Sequence, residues 1–192
     1  MTAFTVFGQP ANPATLTSDD EALTIGMQFT LSQPCPLTAI WWWSPSGAAD
    51  LPAATAIYAV SGGTVVTGTQ NSSPSWSGIA GSGWVKVTYD GSVTLAASTS
   101  YKVAIYHGFS AGHNYYGSTA NYWSSGAGSG GLTSGPITAV NNAGGDGGQD
   151  TFDTAGTQGY PNASFNATNY WVDVEVTVAT AGSGALLAVG LP

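Results

Sequence analysis

Charge is scarce in this sequence, and most of it has one sign. Two basic and ten acidic side chains make up 6% of the 192 residues and give a formal net charge of −8 at pH 7, whereas a typical soluble domain is roughly 25% charged. The sequence contains no arginine, and its only lysines are Lys86 and Lys102. Because nucleic acids and anionic membranes are bound by clusters of basic residues, we expect neither as a partner.

Cysteine and long apolar runs are equally scarce. The single Cys35 excludes an intrachain disulfide and any metal site built from several cysteines, so packing must supply the stability. No stretch approaches the ~20 apolar residues of a membrane-spanning helix. Residues Met1 to Phe4 lack the basic region and apolar run of a secretory signal, so we expect a protein that is assembled in the cytoplasm.

Apolar and aromatic residues are abundant, and they follow a period of two. They make up 43% and 11% of the chain, which is enough for a core. From Ala22 to Leu31 apolar residues occupy alternate positions, which is typical of a half-buried strand. Turn-forming Gly, Pro and Asn residues separate such segments, and no helical stripe interrupts them, so we predict an antiparallel β-sandwich of jelly-roll or immunoglobulin type over residues 1–178. Further predicted strands cover residues 37–43, 54–60, 64–66, 84–89, 101–105 and 170–178.

Two segments depart from this pattern. Residues 124–159 are rich in glycine and poor in large apolar residues, which predicts either a long loop or a pair of loosely patterned strands. Residues 179–184 form a small-residue linker, and residues 185–192 are apolar enough to aggregate if left in water. We therefore predict that residues 179–192 are an extended arm that docks on a neighbouring chain. The docking side chains would be Leu186, Leu187, Val189 and Leu191.

Aromatic side chains offer the most distinctive chemistry. Strand alternation places Trp42 in the core with Ile40, and Trp41 and Trp43 on the opposite face. Flat aromatic faces next to Asn and Asp suit sugar rings, although Trp and Tyr are also common strand and interface residues. The candidate glycan-binding residues are Trp41, Trp43, His107, His113, Tyr115, Tyr116 and Trp123.

Metal ligands are present without a recognisable metal-binding pattern. His107 and His113 are too few for zinc, which takes three or four nitrogen or sulfur ligands. The acidic residues of 19–21 and 146–153 offer oxygen ligands that suit Ca²⁺, but neither run matches an EF-hand loop. We favour solvated carboxylates at both places, and we predict no metal and no cofactor.

Catalytic signatures are sparse as well. No Gly-x-Ser-x-Gly elbow lies between a predicted strand and a predicted helix, which is the context that such a nucleophile needs. Asp173 and Glu175 share one face of the last predicted strand, where neighbouring carboxylates are usually solvated rather than catalytic. We therefore expect a protein that is not an enzyme.

Several short motifs resemble those of one domain family of unknown function. Asn169 to Val174, with the sequence Asn-Tyr-Trp-Val-Asp-Val, is the most specific of them. The family is found in secreted bacterial surface proteins and in tail proteins of actinobacterial phages, and the similarity extends from Phe4 to Val178. The other similar segments are Leu23–Phe29, Gly83-Trp84, Leu95–His107 with Gly112–Tyr115, and Tyr160-Pro161.

The resemblance implies a non-catalytic β-sandwich that is displayed on a surface. The chain departs from the family pattern at Trp41 to Ser44, which replace a basic Arg-Phe-Tyr-Lys strand, and at Ala97-Ser98, which replace Ala-Gly. Two functions fit these observations. The first is a structural protein of a bacteriophage virion, as a capsid decoration or minor tail protein, which contacts copies of itself and other virion proteins and exposes aromatic loops to host-surface glycan. The alternative is a carbohydrate-binding module of a bacterial cell-surface protein.

Overall fold

The structure, a computed structural model, describes residues 1–9, 11–13, 15–19, 21–45, 51–78, 81–108 and 114–179, and for residues 18, 19, 114 and 115 it describes the backbone alone. Across these ranges the regular elements are strands and one short 3-10 turn, Asn142–Gly144, with no α-helix. The strands are β1 (Thr2–Phe4), β2 (Thr15–Asp19), β3 (Leu23–Leu31), β4 (Cys35–Ser44), β5 (Ala54–Ala59), β6 (Thr64–Val65), β7 (Gly83–Thr88), β8 (Thr94–Leu95), β9 (Tyr101–His107), β10 (Asn114–Ser118), β11 (Leu132–Ser134), β12 (Ile137–Ala139), β13 (Asp150–Asp153) and β14 (Val172–Val178).

Two antiparallel sheets face each other and confirm the predicted β-sandwich. Sheet I has the strand order β1-β14-β4-β7, and the short strand β8 also pairs with β4. Sheet II has the order β11-β12-β3-β9-β5-β6, and β13 pairs with β3 beyond the end of β12. The strands β2 and β10 form a separate two-stranded sheet. Successive strands of opposite direction need only short connections, which the Gly- and Asn-containing turns provide.

The core lies between the inner faces of the two sheets. The alternation predicted from the sequence holds here, because Trp42 is buried with Ile40 on the inner face of β4. Sheet II contributes Ile25 and Phe29 from β3 and Val103 from β9, all of them fully buried. Each such side chain stabilises the fold by roughly 1.5–3 kcal/mol relative to an exposed position.

Strand β3 is buried on both faces, so its prediction as a half-buried strand was wrong. Its outward-facing Thr24 and Gln28 are covered by the glycine-rich segment, which forms β11, β12 and β13 and then packs across sheet II. Gly159 N–H donates to Thr24 Oγ1 at 3.2 Å, and Asp146 N–H donates to Gln28 Oε1 at 2.8 Å. A second layer therefore lies over the face that the sequence pattern assigns to solvent.

Lys102 holds this second layer in place from beneath. Its side chain is 0% exposed, and its ammonium donates to the backbone oxygens of Asp146, at 2.6 Å, and Pro161, at 2.8 Å. The ammonium also lies 4.6 Å from the centroid of the Tyr160 ring. Burial lowers the pKa of Lys102 to about 8, although the carboxylates of Asp146 and Asp150 favour its charged form.

The outer face of sheet I is covered by the residues that follow β1. The carboxylate of Asp173 accepts hydrogen bonds from the backbone N–H groups of Val6 and Phe7, both at 2.9 Å, and from that of Val174. Asp173 is fully buried, so its prediction as a solvated carboxylate was wrong. Burial raises the pKa of Asp173 to about 7, against the opposing effect of the three N–H donors.

Candidate functional site

An aromatic cleft lies where the start of β3 comes close to Tyr116 of β10 and Phe152 of β13. Its cavity volume is about 280 Å³, close to the lower limit of roughly 300 Å³ for small-molecule sites. Buried Leu23 and Ile25 form its floor, and exposed Glu21 and Thr154 lie at its rim. The residues that line this aromatic cleft are Glu21, Leu23, Ile25, Tyr116, Phe152, Thr154, Phe165 and Tyr170.

Rings set at steep angles form the walls of the aromatic cleft. Tyr170 meets Tyr116 edge to face, with ring centroids 5.6 Å apart and planes at 71°. Phe152 also meets Tyr170 edge to face, with ring centroids 6.4 Å apart and planes at 82°. Such T-shaped contacts fix the rings relative to one another, because each edge lies against the electron-rich face of its neighbour.

Phe165 stands at the mouth of the cleft on a tight turn. Its ring is 63% exposed, and its backbone oxygen accepts from Thr168 N–H at 3.1 Å. The two central residues of the turn, Asn166 and Ala167, have φ angles of 50° and 46°, a left-handed conformation that costs a non-glycine residue roughly 1–2 kcal/mol. Strained backbone of this kind clusters at binding sites, where the surrounding structure holds it.

The turn is held by hydrogen bonds to a neighbouring segment. Asn121 N–H donates to the backbone oxygen of Asn166 at 2.8 Å, and Trp123 N–H donates to that of Ala167 at 3.1 Å. These bonds fix the position from which Phe165 projects. Tyr116 of the cleft is followed in β10 by Gly117, where a Cβ would lie 2.5 Å from Pro13 and 3.1 Å from the Trp43 ring. Glycine is therefore required for the small sheet to pack against sheet I.

Trp41 and Trp43, both predicted as glycan-binding residues, lie on the outer face of sheet I. Trp43 is 9% exposed, and its indole N–H donates to Asn12 Oδ1 at 3.1 Å. Trp41 is half-buried, and its indole N–H donates to Glu175 Oε2 at 3.1 Å. The ammonium of Lys86 lies 4.7 Å from the centroid of the Trp41 ring. These contacts tie both rings to the protein itself.

The other predicted glycan-binding residues are dispersed. Trp123 is 1% exposed and packs against Tyr122, and His107 is 4% exposed and packs edge-on against Trp42. His113 lies outside the described residues. The structure places Tyr115 in β10 and Tyr116 beside it, and among the predicted residues whose side chains it describes, Tyr116 lines the aromatic cleft.

The acidic run that could have bound Ca²⁺ is partly built into the fold. Asp150 is buried in β13, and its carboxylate accepts from Tyr170 N–H at 2.8 Å, so its prediction as a solvated carboxylate was wrong. Burial raises the pKa of Asp150 well above its usual value. In the ranges that the structure describes, no three His, Cys, Asp or Glu side chains converge as a metal site would require.

Sequence reasoning missed most of the residues that line the cleft. Phe152 appeared there only as part of an acidic run, and Tyr170 as one member of the last strand. Phe165 went unnoticed, although a single large aromatic between the polar residues Ser164 and Asn166 was a usable sign. Nothing in the local sequence connects these positions, because the cleft joins segments that are far apart in the chain.

Comparison with known proteins identifies the family. A family model described as a domain of unknown function, DUF4082, matches residues 9–172, and the chain belongs to this family. Searches among curated proteins and among solved structures found no match. Within the described ranges, no helix has the length and hydrophobicity that crossing a bilayer requires.

Proposed function

We propose that this member of the DUF4082 family is a non-catalytic binding domain that holds one sugar residue in the aromatic cleft. The observation that carries the proposal is the cleft itself, in which Tyr116, Tyr170 and Phe152 form walls around an apolar floor and Phe165 projects at the mouth. A sugar presents an apolar C–H face to such rings and its hydroxyls to polar groups such as Thr154 at the rim. The cavity of about 280 Å³ suits a single ring rather than a long chain.

Replacing Phe165 by alanine is expected to weaken sugar binding about tenfold, because loss of an aromatic contact of this kind costs roughly 1–1.5 kcal/mol. Its ring is largely exposed, so the fold should tolerate the change. Binding is measured by NMR titration with a panel of neutral, amino and acidic oligosaccharides. Leu16→Ala is the matched control, since Leu16 is 57% exposed and does not line the cleft.

Two outcomes would contradict this proposal. One is the absence of binding by the unmodified protein to every member of the panel, even when the protein is displayed in multivalent form, where avidity reveals weak sites. The other is equal affinity of the Phe165→Ala and Leu16→Ala variants for a sugar that the unmodified protein binds.

A second proposal concerns assembly, and a groove at the edge of sheet I favours it. The groove has a volume of about 310 Å³ and lies between β1 and the β11–β12 hairpin, next to Val178 and Ala179. Strand β1 pairs with β14 and is an edge strand among the described strands, so its free side can accept another strand. The predicted docking arm lies outside the described residues, apart from Ala179. We propose that the apolar residues 185–192 of a neighbouring copy occupy this groove, and that the assembly belongs to a bacteriophage virion.

Replacing Leu186, Leu187, Val189 and Leu191 together by serine is expected to convert an oligomer into a monomer and to prevent incorporation into particles. Burial of these four side chains would contribute on the order of 6–10 kcal/mol before ordering costs. Sedimentation measures the mass, and thermal melting checks that the sandwich stays folded. Deletion of residues 184–192 should give the same result. An unchanged mass, with normal incorporation, would rule out this mode of assembly.

A further inference from the structure

The walls and charge of the aromatic cleft narrow the class of sugar that it can hold. We propose that the preferred sugar carries a free ammonium group, as a 2-amino sugar without an acetyl group does. This inference rests on the proposed function and assigns the ligand of the same site. It is carried by the exposed Phe165 ring at the mouth of the cleft, by the carboxylate at the rim, and by the positions of the two lysines.

One open aromatic ring at the mouth of the cleft can receive a cation. Tyr170 packs edge to face with both Tyr116 and Phe152, whereas Phe165 lines the cleft and is 63% exposed. An ammonium group within about 6 Å of the Phe165 ring gains roughly 0.5–1 kcal/mol at such an exposed position.

A carboxylate stands where it can pair with the ammonium. Glu21 is exposed at the rim of the cleft and precedes Leu23 and Ile25, whose side chains form the floor. An ion pair at an exposed position contributes up to about 1 kcal/mol. The carboxylate and the Phe165 ring therefore act on the same charged group, and together they supply about a tenfold preference over the uncharged acetylated sugar.

The positions of the lysines disfavour acidic sugars. Lys86 lies against the Trp41 ring on the outer face of sheet I, and Lys102 is buried under the second layer of sheet II. Neither lines the aromatic cleft, and the sequence has no arginine. An acidic sugar would thus meet Glu21 in a protein of net charge −8, without a lysine or arginine at the site to offset the repulsion.

The experiment compares a glucosamine trisaccharide with its fully N-acetylated counterpart by calorimetry, at a pH where the amines are protonated. The unmodified protein should bind the free amine about tenfold more tightly. Glu21→Gln should reduce this preference to roughly threefold or less, because the ion-pair contribution is lost. Asp90→Asn is the matched control: it removes one negative charge at an exposed turn away from the cleft, so it should leave the preference unchanged.

The possible results separate this inference from the proposed function. Equal affinity for the two trisaccharides would overturn the inference while leaving a sugar-binding cleft, and so would equal effects of Glu21→Gln and Asp90→Asn. Binding of neither trisaccharide, nor of any other sugar in the panel, would overturn the proposed function and the inference with it. Added salt should weaken binding of the free amine and leave that of the acetylated sugar nearly constant.

Discussion

Replacing Lys102 by alanine is expected to lower the free energy of unfolding by about 4 kcal/mol. The change removes the donor to the backbone oxygens of Asp146 and Pro161, and each buried oxygen left without a donor costs roughly 1–3 kcal/mol. It also leaves a cavity beneath the second layer of sheet II. Urea denaturation monitored by tryptophan fluorescence measures the effect.

Lys102→Met separates the two contributions to this loss. Methionine fills most of the space but cannot donate a hydrogen bond, so a loss of about 2 kcal/mol is expected to remain. Lys86→Ala is the control, because Lys86 is the other lysine of the chain and its partly exposed contact with Trp41 is worth less than about 1 kcal/mol. A Lys102→Met protein as stable as the unmodified one would show that the ammonium does not hold the second layer.

Stability is expected to fall as the pH rises from 4 to 7, contrary to the behaviour of most globular proteins. The folded state raises the pKa of Asp173 from 3.8 to about 7, mainly through burial, so in this interval it binds a proton that the unfolded chain has released. The free energy of unfolding therefore decreases with pH, by on the order of 3–4 kcal/mol in all. Buried Asp150, whose pKa is raised as well, acts in the same direction.

Above this interval Lys102 acts in the opposite direction, against the raised pKa values of Cys35 and Tyr58. The folded state lowers the pKa of Lys102 from 10.5 to about 8, so between these values the unfolded chain binds the extra proton and the contribution of Lys102 to stability rises with pH. Urea titrations at pH 4.5 and 7.5 should thus give the lower midpoint at pH 7.5. The Asp173→Asn side chain cannot titrate, so this variant should show a smaller fall in stability between pH 4.5 and 7.5. A midpoint that rises steadily from pH 4.5 to 7.5 would contradict the role of the buried carboxylates.

The strands could be predicted from the sequence because a period of two is a local property. The strand predicted over residues 54–60 matches β5, Ala54–Ala59, and that over 37–43 lies inside β4, Cys35–Ser44. The burial of the outer faces could not be predicted in the same way. Lys102 and Asp173 occupy positions that alternation assigns to solvent, and they are covered by residues at least 40 positions away in the chain.

The residues of the aromatic cleft could likewise be predicted only in part from the sequence. Tyr116 was found because it belongs to a conspicuous run of aromatics, whereas Phe152, Phe165 and Tyr170 come from a short strand, a strained turn and the approach to β14. Composition drew attention to aromatic rings as candidate binding residues. It did not distinguish the rings that build the fold, such as Trp123, from those that line a cleft, because this depends on contacts between distant segments.

The pairing of β1 with β14 determines how this domain can be joined to other chains. Thr2 lies opposite Val178 in the antiparallel register, so the two ends of the sandwich are roughly 5 Å apart. A domain with adjoining ends can be inserted into a surface loop of a larger protein without forcing that loop apart. Circular permutation should be tolerated for the same reason, for example with new ends at the exposed turn that contains Asp90 and Gly91.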